Sequence, residues 1–348
     1  GFPVGTEGSG PGVFGGAMQR MWSQVACACD TRRDPSNPDF NGDWKADLAV
    51  TGSASDLTST EIGVALSTGA GTFSATKLAP TDFNTYAKQP GATALAGDFD
   101  GDGNTDLVAV GVSSWNGVKI AYSHGDGTFG STVGVSTSFG AAASTAGAKV
   151  VVTDVNGDGY ADLVATGAPG STTIAVAFGQ PGGTFSVTNA ASSFASLVSA
   201  AGASFAAGDV NNDGYDDLVA VGTSSTTLTV ALSNGDGTFT QVASANSIAA
   251  ALDQPGAKLV VGDVDNDSIG DLVVTGAPSA TTVVVGHSNG DGTFTSEAPS
   301  NGAGSSFPSY AGTSGAVLVG GDFDGDMRPD VVATGVSSWT TLPMLTFQ

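Results

Sequence analysis

Six stretches of the sequence put oxygen-bearing side chains at alternating positions: D-F-N-G-D-W-K-A-D-L at 39–48, D-F-D-G-D-G-N-T-D-L at 98–107, D-V-N-G-D-G-Y-A-D-L at 154–163, D-V-N-N-D-G-Y-D-D-L at 209–218, D-V-D-N-D-S-I-G-D-L at 263–272 and D-F-D-G-D-M-R-P-D-V at 322–331. Position 1 is Asp39, Asp98, Asp154, Asp209, Asp263 or Asp322, and position 3 is Asn41, Asp100, Asn156, Asn211, Asp265 or Asp324. Position 5 is Asp43, Asp102, Asp158, Asp213, Asp267 or Asp326, and position 9 is Asp47, Asp106, Asp162, Asp217, Asp271 or Asp330. In a tight loop this spacing lets successive carboxylates converge on one point, where like charges could not all stay ionised unpaired. The chemistry expected there is binding of a hard cation. Oxygen-only donors in a flexible loop suit Ca2+ better than Mg2+, which demands octahedral geometry and retains water. By analogy with other calcium loops, position 7 (Lys45, Asn104, Tyr160, Tyr215, Ile269 or Arg328) would add a backbone carbonyl, giving up to six Ca2+.

Position 4 is always Gly or Asn (Gly42, Gly101, Gly157, Asn212, Asn266, Gly325), residues that tolerate the left-handed conformation. Position 6 is Gly103, Gly159 and Gly214 in three loops but Trp44, Ser268 and Met327 in the others, which are expected to bind differently or more weakly. The pattern is not an EF-hand, because Asp at position 9 replaces Glu at position 12 and a strand follows. The competing reading is that Asp and Gly simply form polar turns. One ion per repeat suggests a staple of the loop rather than a reaction centre.

The composition agrees. Of 33 acidic residues only Glu7, Glu61 and Glu297 are Glu, and 21 of the 30 Asp fall on the four acidic loop positions. The formal charge of −23 disfavours nucleic acid as a partner. Six Ca2+ would bring it to −11. No apolar run reaches the ~18 residues of a bilayer span, so no membrane insertion is expected. The chain opens at Gly1 with neither Met nor an apolar leader, as a processed or trimmed chain would. Cys27 and Cys29 are too few for a disulfide framework and read as buried or free thiols.

The elements that must hold these loops follow from the repeat. Intervals of 59, 56, 55, 54 and 59 residues separate the first Asp residues, about one supersecondary unit each. In the third unit, Lys149–Val152 runs into the loop, Leu163–Thr166 leaves it, Thr173–Phe178 follows a Gly-Ala-Pro-Gly turn, and Pro181-Gly182-Gly183 leads into Thr184-Phe185. Equivalent turns read G-A-G-T-F at 69–73 and G-D-G-T-F at 125–129, 235–239 and 290–294. Four short strands per period describe a propeller blade. The expected fold is all-β, a single β-propeller domain over 1–348 with six four-stranded blades. The last unit stops after its third strand, and Gly10–Phe14 could supply the fourth and close the ring. Gln24–Cys29 reads as a strand and Thr31–Pro38 as an inserted loop.

The Asp pattern, the V-x-x-G-A-P turns at 164–169 and 273–278 and the G-D-G-T-F turns together resemble the FG-GAP/VCBS repeats of integrin α-subunit propellers and related microbial and fungal secreted proteins, across essentially the whole chain. The resemblance implies calcium, an extracellular or cell-surface location, and a ring that in the family often has seven blades. It also implies that the Asp loops and G-D-G-T-F hairpins share one face, leaving the other as the ligand face. The Trp-Arg-rich segment that sugar-binding fungal relatives carry before the Asp loop is absent here.

On the ligand face, Trp115 and Trp339 stand at equivalent places, seventeen residues after the first Asp of their units, as candidates to stack on a sugar or anchor a protein contact. The competing role is to cover the edge of their own blade. Tyr86 and Tyr310 are candidates for the rim, whereas Phe83 and Phe307 are expected to pack between blades. Catalytic candidates are few: His124 and His287 precede hairpin turns, and Lys88 near Tyr86 could act as the base of a lyase-like enzyme. The expected function is a calcium-stabilised propeller binding glycan or a surface protein, like a lectin or adhesin. The alternatives are a polysaccharide-processing enzyme or a structural subunit of an extracellular assembly.

Overall fold

A computed structural model of the chain describes residues 37–51, 60–69, 71–74, 77–223, 227–245, 247–278, 280–297, 306–336 and 342–347. Trp339, Cys27, Cys29 and the strands expected at 10–14 and 24–29 lie outside them. Each unit forms one antiparallel sheet, giving six blades. Blades 2 to 5 have four strands each: 93–97, 106–110, 117–121 and 133–136 in blade 2; 149–153, 162–166, 173–180 and 184–191 in blade 3; 204–208, 217–221, 227–233 and 239–245 in blade 4; and 258–262, 271–275, 284–288 and 294–296 in blade 5. Among the described residues blade 1 shows its second to fourth strands (48–50, 61–65, 77–80) and blade 6 its first to third (317–321, 330–334, 344–345).

Burial explains the sequence of each strand. The second strands, such as Asp106–Val110 and Asp271–Thr275, are buried along their whole length because neighbouring blades cover both faces, so they are almost continuously apolar. The fourth strand of blade 3, Thr184–Ala191, lies at the rim and mixes exposed with half-buried residues. First strands face the axis, where Val151, Phe205, Leu259 and Leu318 from four blades line a cavity of about 260 Å3.

The ring closes at six, not seven. Ala46 N–H of blade 1 donates to the Asp322 carbonyl of blade 6 at 2.7 Å. Leu48, Val50 and Phe73 share one apolar cluster with Val319, Phe323 and Met344. Similar joints recur around the ring: the N–H at position 8 of a loop donates to the position-1 carbonyl of the preceding loop in Thr105 to Asp39, Ala161 to Asp98, Asp216 to Asp154 and Gly270 to Asp209. Pro329 occupies position 8 in blade 6 and has no N–H to give. At that joint the Arg328 guanidinium donates to the Val264 carbonyl at 3.2 Å.

Among the described residues five short helices, which the repeat pattern does not announce, occupy connections from one blade to the next: α1 (Phe83–Ala87), α2 (Phe139–Ala143), α3 (Ser193–Val198), α4 (Ser247–Leu252) and α5 (Phe307–Ala311). At five or six residues they are too short to show helical periodicity. Each drives one apolar wedge inward: Phe83, Phe139, Phe194, Ile248 or Phe307, all at most 3% exposed. The expected inter-blade role of Phe83 and Phe307 is what the structure shows.

Candidate functional site

The Asp loops are built from nested turns in which side-chain oxygens accept backbone N–H groups. In the third loop Asp154 Oδ1 accepts from Gly157 at 2.7 Å and Oδ2 from Gly159 at 2.8 Å, Asn156 Oδ1 accepts from Asp158 at 3.1 Å, and Asp158 Oδ1 accepts from Tyr160 at 3.0 Å. The position-7 residues Lys45, Asn104, Tyr215, Ile269 and Arg328 donate their N–H to position 5 in the same way. Asp at position 9 is fully buried in most loops and holds two N–H groups: Asp217 Oδ2 accepts from Val210 at 3.1 Å and Oδ1 from Ser233 at 2.8 Å. In blade 6 the matching Asp330 Oδ1 is buried without a hydrogen-bond partner.

Carboxylate oxygens of Asp98, Asp100 and Asp106, of Asp263, Asp265 and Asp267, and of Asp322, Asp324 and Asp330 each lie within 4.8 Å of one another. Burial raises Asp106, Asp217 and Asp330 to about 8, and Asp47 to about 7, against the pull of their N–H donors. Neighbouring Asp residues add to the rise. Asp162 is pushed well up for the same reasons. Crowded all-oxygen donors, each set including a buried carboxylate, fit a hard divalent ion, which would offset their like charges.

Positions 4 and 6 take positive φ in all six loops, including Trp44 (69°), Ser268 (72°) and Met327 (70°). The backbone is thus the same with or without glycine. A Cβ at Gly103, Gly159 or Gly214 would meet open space, so glycine is needed there for φ alone. Trp44 and Met327 accordingly point outward, 61% and 56% exposed. Trp44→Gly is expected to raise unfolding free energy by about 1 kcal/mol, the cost of a left-handed non-glycine residue. Urea denaturation of the two proteins measures it, and a loss of stability in Trp44→Gly would show that the indole makes a contact of greater value.

The helices lie on the opposite face. Tyr86 of α1 meets Trp115, in the loop between the second and third strands of blade 2, edge to face at 5.9 Å, and Lys119 Nζ lies 5.6 Å and 5.9 Å from the two ring centres. Both rings pack on the core between blades 1 and 2. Trp115 therefore covers a blade joint and is engaged by its neighbours. Tyr310 holds the matching place on α5 against the core between blades 5 and 6. Lys119 was not among the sequence candidates; its one signal is a Lys inside the apolar strand Gly117–Ala121.

One joint further on, the same space is open. The equivalents of Tyr86, Trp115 and Lys119 are Ala142, Ser171 and Ala175, and these line a groove of about 290 Å3 together with Thr145, Thr166, Pro169 and Thr173. Its hydroxyls donate to main-chain carbonyls: Thr145 to Ala141 at 3.0 Å, Thr166 to Thr173 at 2.8 Å and Ser171 to Thr173 at 3.0 Å. Their oxygens therefore keep acceptor capacity toward the groove. Lys88 is exposed at the end of α1, and His124 is exposed on the hairpin face.

Solved structures with this fold include a lectin from Agrocybe aegerita described as specifically recognising non-reducing terminal N-acetylglucosamine, with a TM-score of 0.59 and 20% identity over 89% of this chain and 79% of that one. The Photorhabdus luminescens Tc holotoxin pore matches with a TM-score of 0.56 and 14% identity over 99% of this chain but only 15% of its own. At these identities the likeness is one of fold. No curated protein matches the sequence significantly. The family model for the FG-GAP-like repeat matches residues 39–109, 98–165, 154–220, 209–274 and 263–333, each match running from one Asp loop into the second strand of the next blade. With five such matches on a closed six-bladed ring, the chain belongs to the FG-GAP-like repeat family.

Proposed function

We propose that the chain is an extracellular, calcium-stabilised binding propeller that takes a carbohydrate on the face opposite its Asp loops. The observation that carries the reading is the groove between α2 and blade 3. Its volume suits a sugar ring, its Ala and Pro walls suit the ring's apolar face, and its hydroxyl oxygens can accept from sugar O–H groups. The likeness of fold to an N-acetylglucosamine-recognising lectin supports the same class of ligand. Calcium would be held by positions 1, 3, 5 and 9 of the loops, where it would neutralise buried carboxylates and hold the blades' ends in place.

The test is a glycan array probed with and without calcium, using the wild type and Ser171→Trp, which refills the groove as Trp115 does at the neighbouring joint. Binding of at least one glycan by the wild type and its loss in a Ser171→Trp protein with unchanged melting temperature are expected. Failure of every glycan to bind in calcium, or equal binding by the variant, would sink the carbohydrate reading and favour a protein surface or an assembly as partner.

A further inference from the structure

The fifth loop has a donor that the others lack. His287 is the last residue but one of the third strand of blade 5, immediately before Ser288, whose N–H donates to Asp271. The same register holds Leu66, Tyr122, Phe178 and Leu232 in blades 1 to 4, before the residues that donate to Asp47, Asp106, Asp162 and Asp217. His287 Nδ1 lies 3.1 Å from Asp265 Oδ2 and 3.4 Å from Asp271 Oδ2, while Nε2 faces Glu297 at 3.7 Å. Asp265, Asp271 and His287 offer ligand atoms all within 4.8 Å of one another. Nδ1 itself is sealed from solvent and has no hydrogen-bond partner.

In the tautomer that keeps its proton on Nε2, the nitrogen on the Glu297 side, Nδ1 presents a lone pair to two carboxylate oxygens that carry lone pairs of their own. Three such lone pairs at this separation repel unless a metal cation or a proton lies among them, and the Nδ1 geometry meets no hydrogen-bond partner. A carboxylate behind the distal nitrogen is the arrangement that orients a metal-ligating imidazole. Calcium takes oxygen ligands, whereas imidazole with carboxylate suits zinc, cobalt or nickel.

We propose that the fifth loop is a transition-metal site in which His287 Nδ1, Asp265 and Asp271 hold a divalent ion of the zinc, cobalt or nickel type, with Glu297 orienting the imidazole. This rests on the reading of the loops as cation sites, and it sets one of the six apart by ligand chemistry.

Co2+ titrated into untagged, chelator-stripped protein tests it by visible d–d absorption, with Ca2+-induced thermal stabilisation followed in parallel. The wild type is expected to bind one Co2+ with a tetrahedral-type band. His287→Leu, which installs the residue found at this register in blades 1 and 4, is expected to lose that equivalent while keeping its stabilisation by Ca2+. Glu297→Gln is expected to weaken Co2+ by about tenfold. His124→Ala, altering the other histidine, should leave the band unchanged. A band that survives in His287→Leu overturns the proposal. So does the absence of a band in a wild type that Ca2+ still stabilises, which would identify the group between the carboxylates as a protonated imidazole. If neither ion acts, the reading of the loops as cation sites falls with it.

Discussion

Stripped of divalent ions, the chain is expected to be more stable at pH 5 than at pH 8, the reverse of the trend expected in calcium. The unfolded chain titrates its Asp residues near the ordinary value of 3.8, but burial in the folded, ion-free loops lifts Asp47 to about 7 and Asp106, Asp217 and Asp330 to about 8. The folded state therefore binds protons more tightly. Its stability is greatest below the unfolded value and falls as pH rises through 7 to 8. Calcium competes with those protons, so its contribution grows over the same window. A site filled at a thousandfold excess over Kd contributes about 4 kcal/mol. Several such loops would raise the melting temperature at pH 8 by roughly 10–30 °C, and far less at pH 5. Thermal melts at both pH values, in excess calcium and in excess chelator, make the comparison. Two curves that run parallel with pH would defeat the view that these carboxylates await a cation.

What could be read in the sequence was whatever the chain encodes within a few residues. Asp39 to Asp47 and their five counterparts form their turns locally, so alternate spacing was enough to locate them and to count the blades. The closure at six needed contacts between residues far apart in the chain, such as Ala46 with Asp322. The inter-blade helices escaped because one and a half turns leave no periodic trace; of their five wedges only Phe83 and Phe307 stood out. Lys119 escaped for another reason, and so did the place of His287 beside the fifth loop. Each is unremarkable in its own strand and gains meaning from Trp115 or Asp265 brought alongside by folding. Trp44 and Met327 stand where three other loops have glycine, and the backbone there matches that of the glycine loops, because hydrogen bonds from their N–H groups to Asp39 and Asp322 hold it.

The position-9 Asp residues have a second role that does not depend on any ion, and Asp217→Ala should expose it. Asp217 holds the N–H groups of Val210 and Ser233, and each of these reaches a neighbouring blade: the Val210 carbonyl accepts from Ser288 Oγ of blade 5 at 2.6 Å, and Ser233 Oγ donates to the Val155 carbonyl of blade 3 at 2.6 Å. The pattern continues through Asp271, which holds Val264 and Ser288, and recurs where Ser67, held by Asp47, donates to the Phe323 carbonyl. A belt of hydrogen bonds thus runs from blade to blade beneath the loops, with a position-9 carboxylate at each of these crossings. Truncating Asp217 orphans two buried N–H groups at about 1–3 kcal/mol apiece, so a loss of roughly 2–6 kcal/mol is expected. The measurement belongs in excess chelator, where the cation makes no contribution, with Asp213→Ala at the exposed position 5 of the same loop as the comparison. Asp213→Ala should cost little there and much more in calcium, whereas Asp217→Ala should cost several kcal/mol in both. Equal, small losses for the two variants in chelator would mean that the belt adds nothing of its own and that the Asp pattern serves the ion alone.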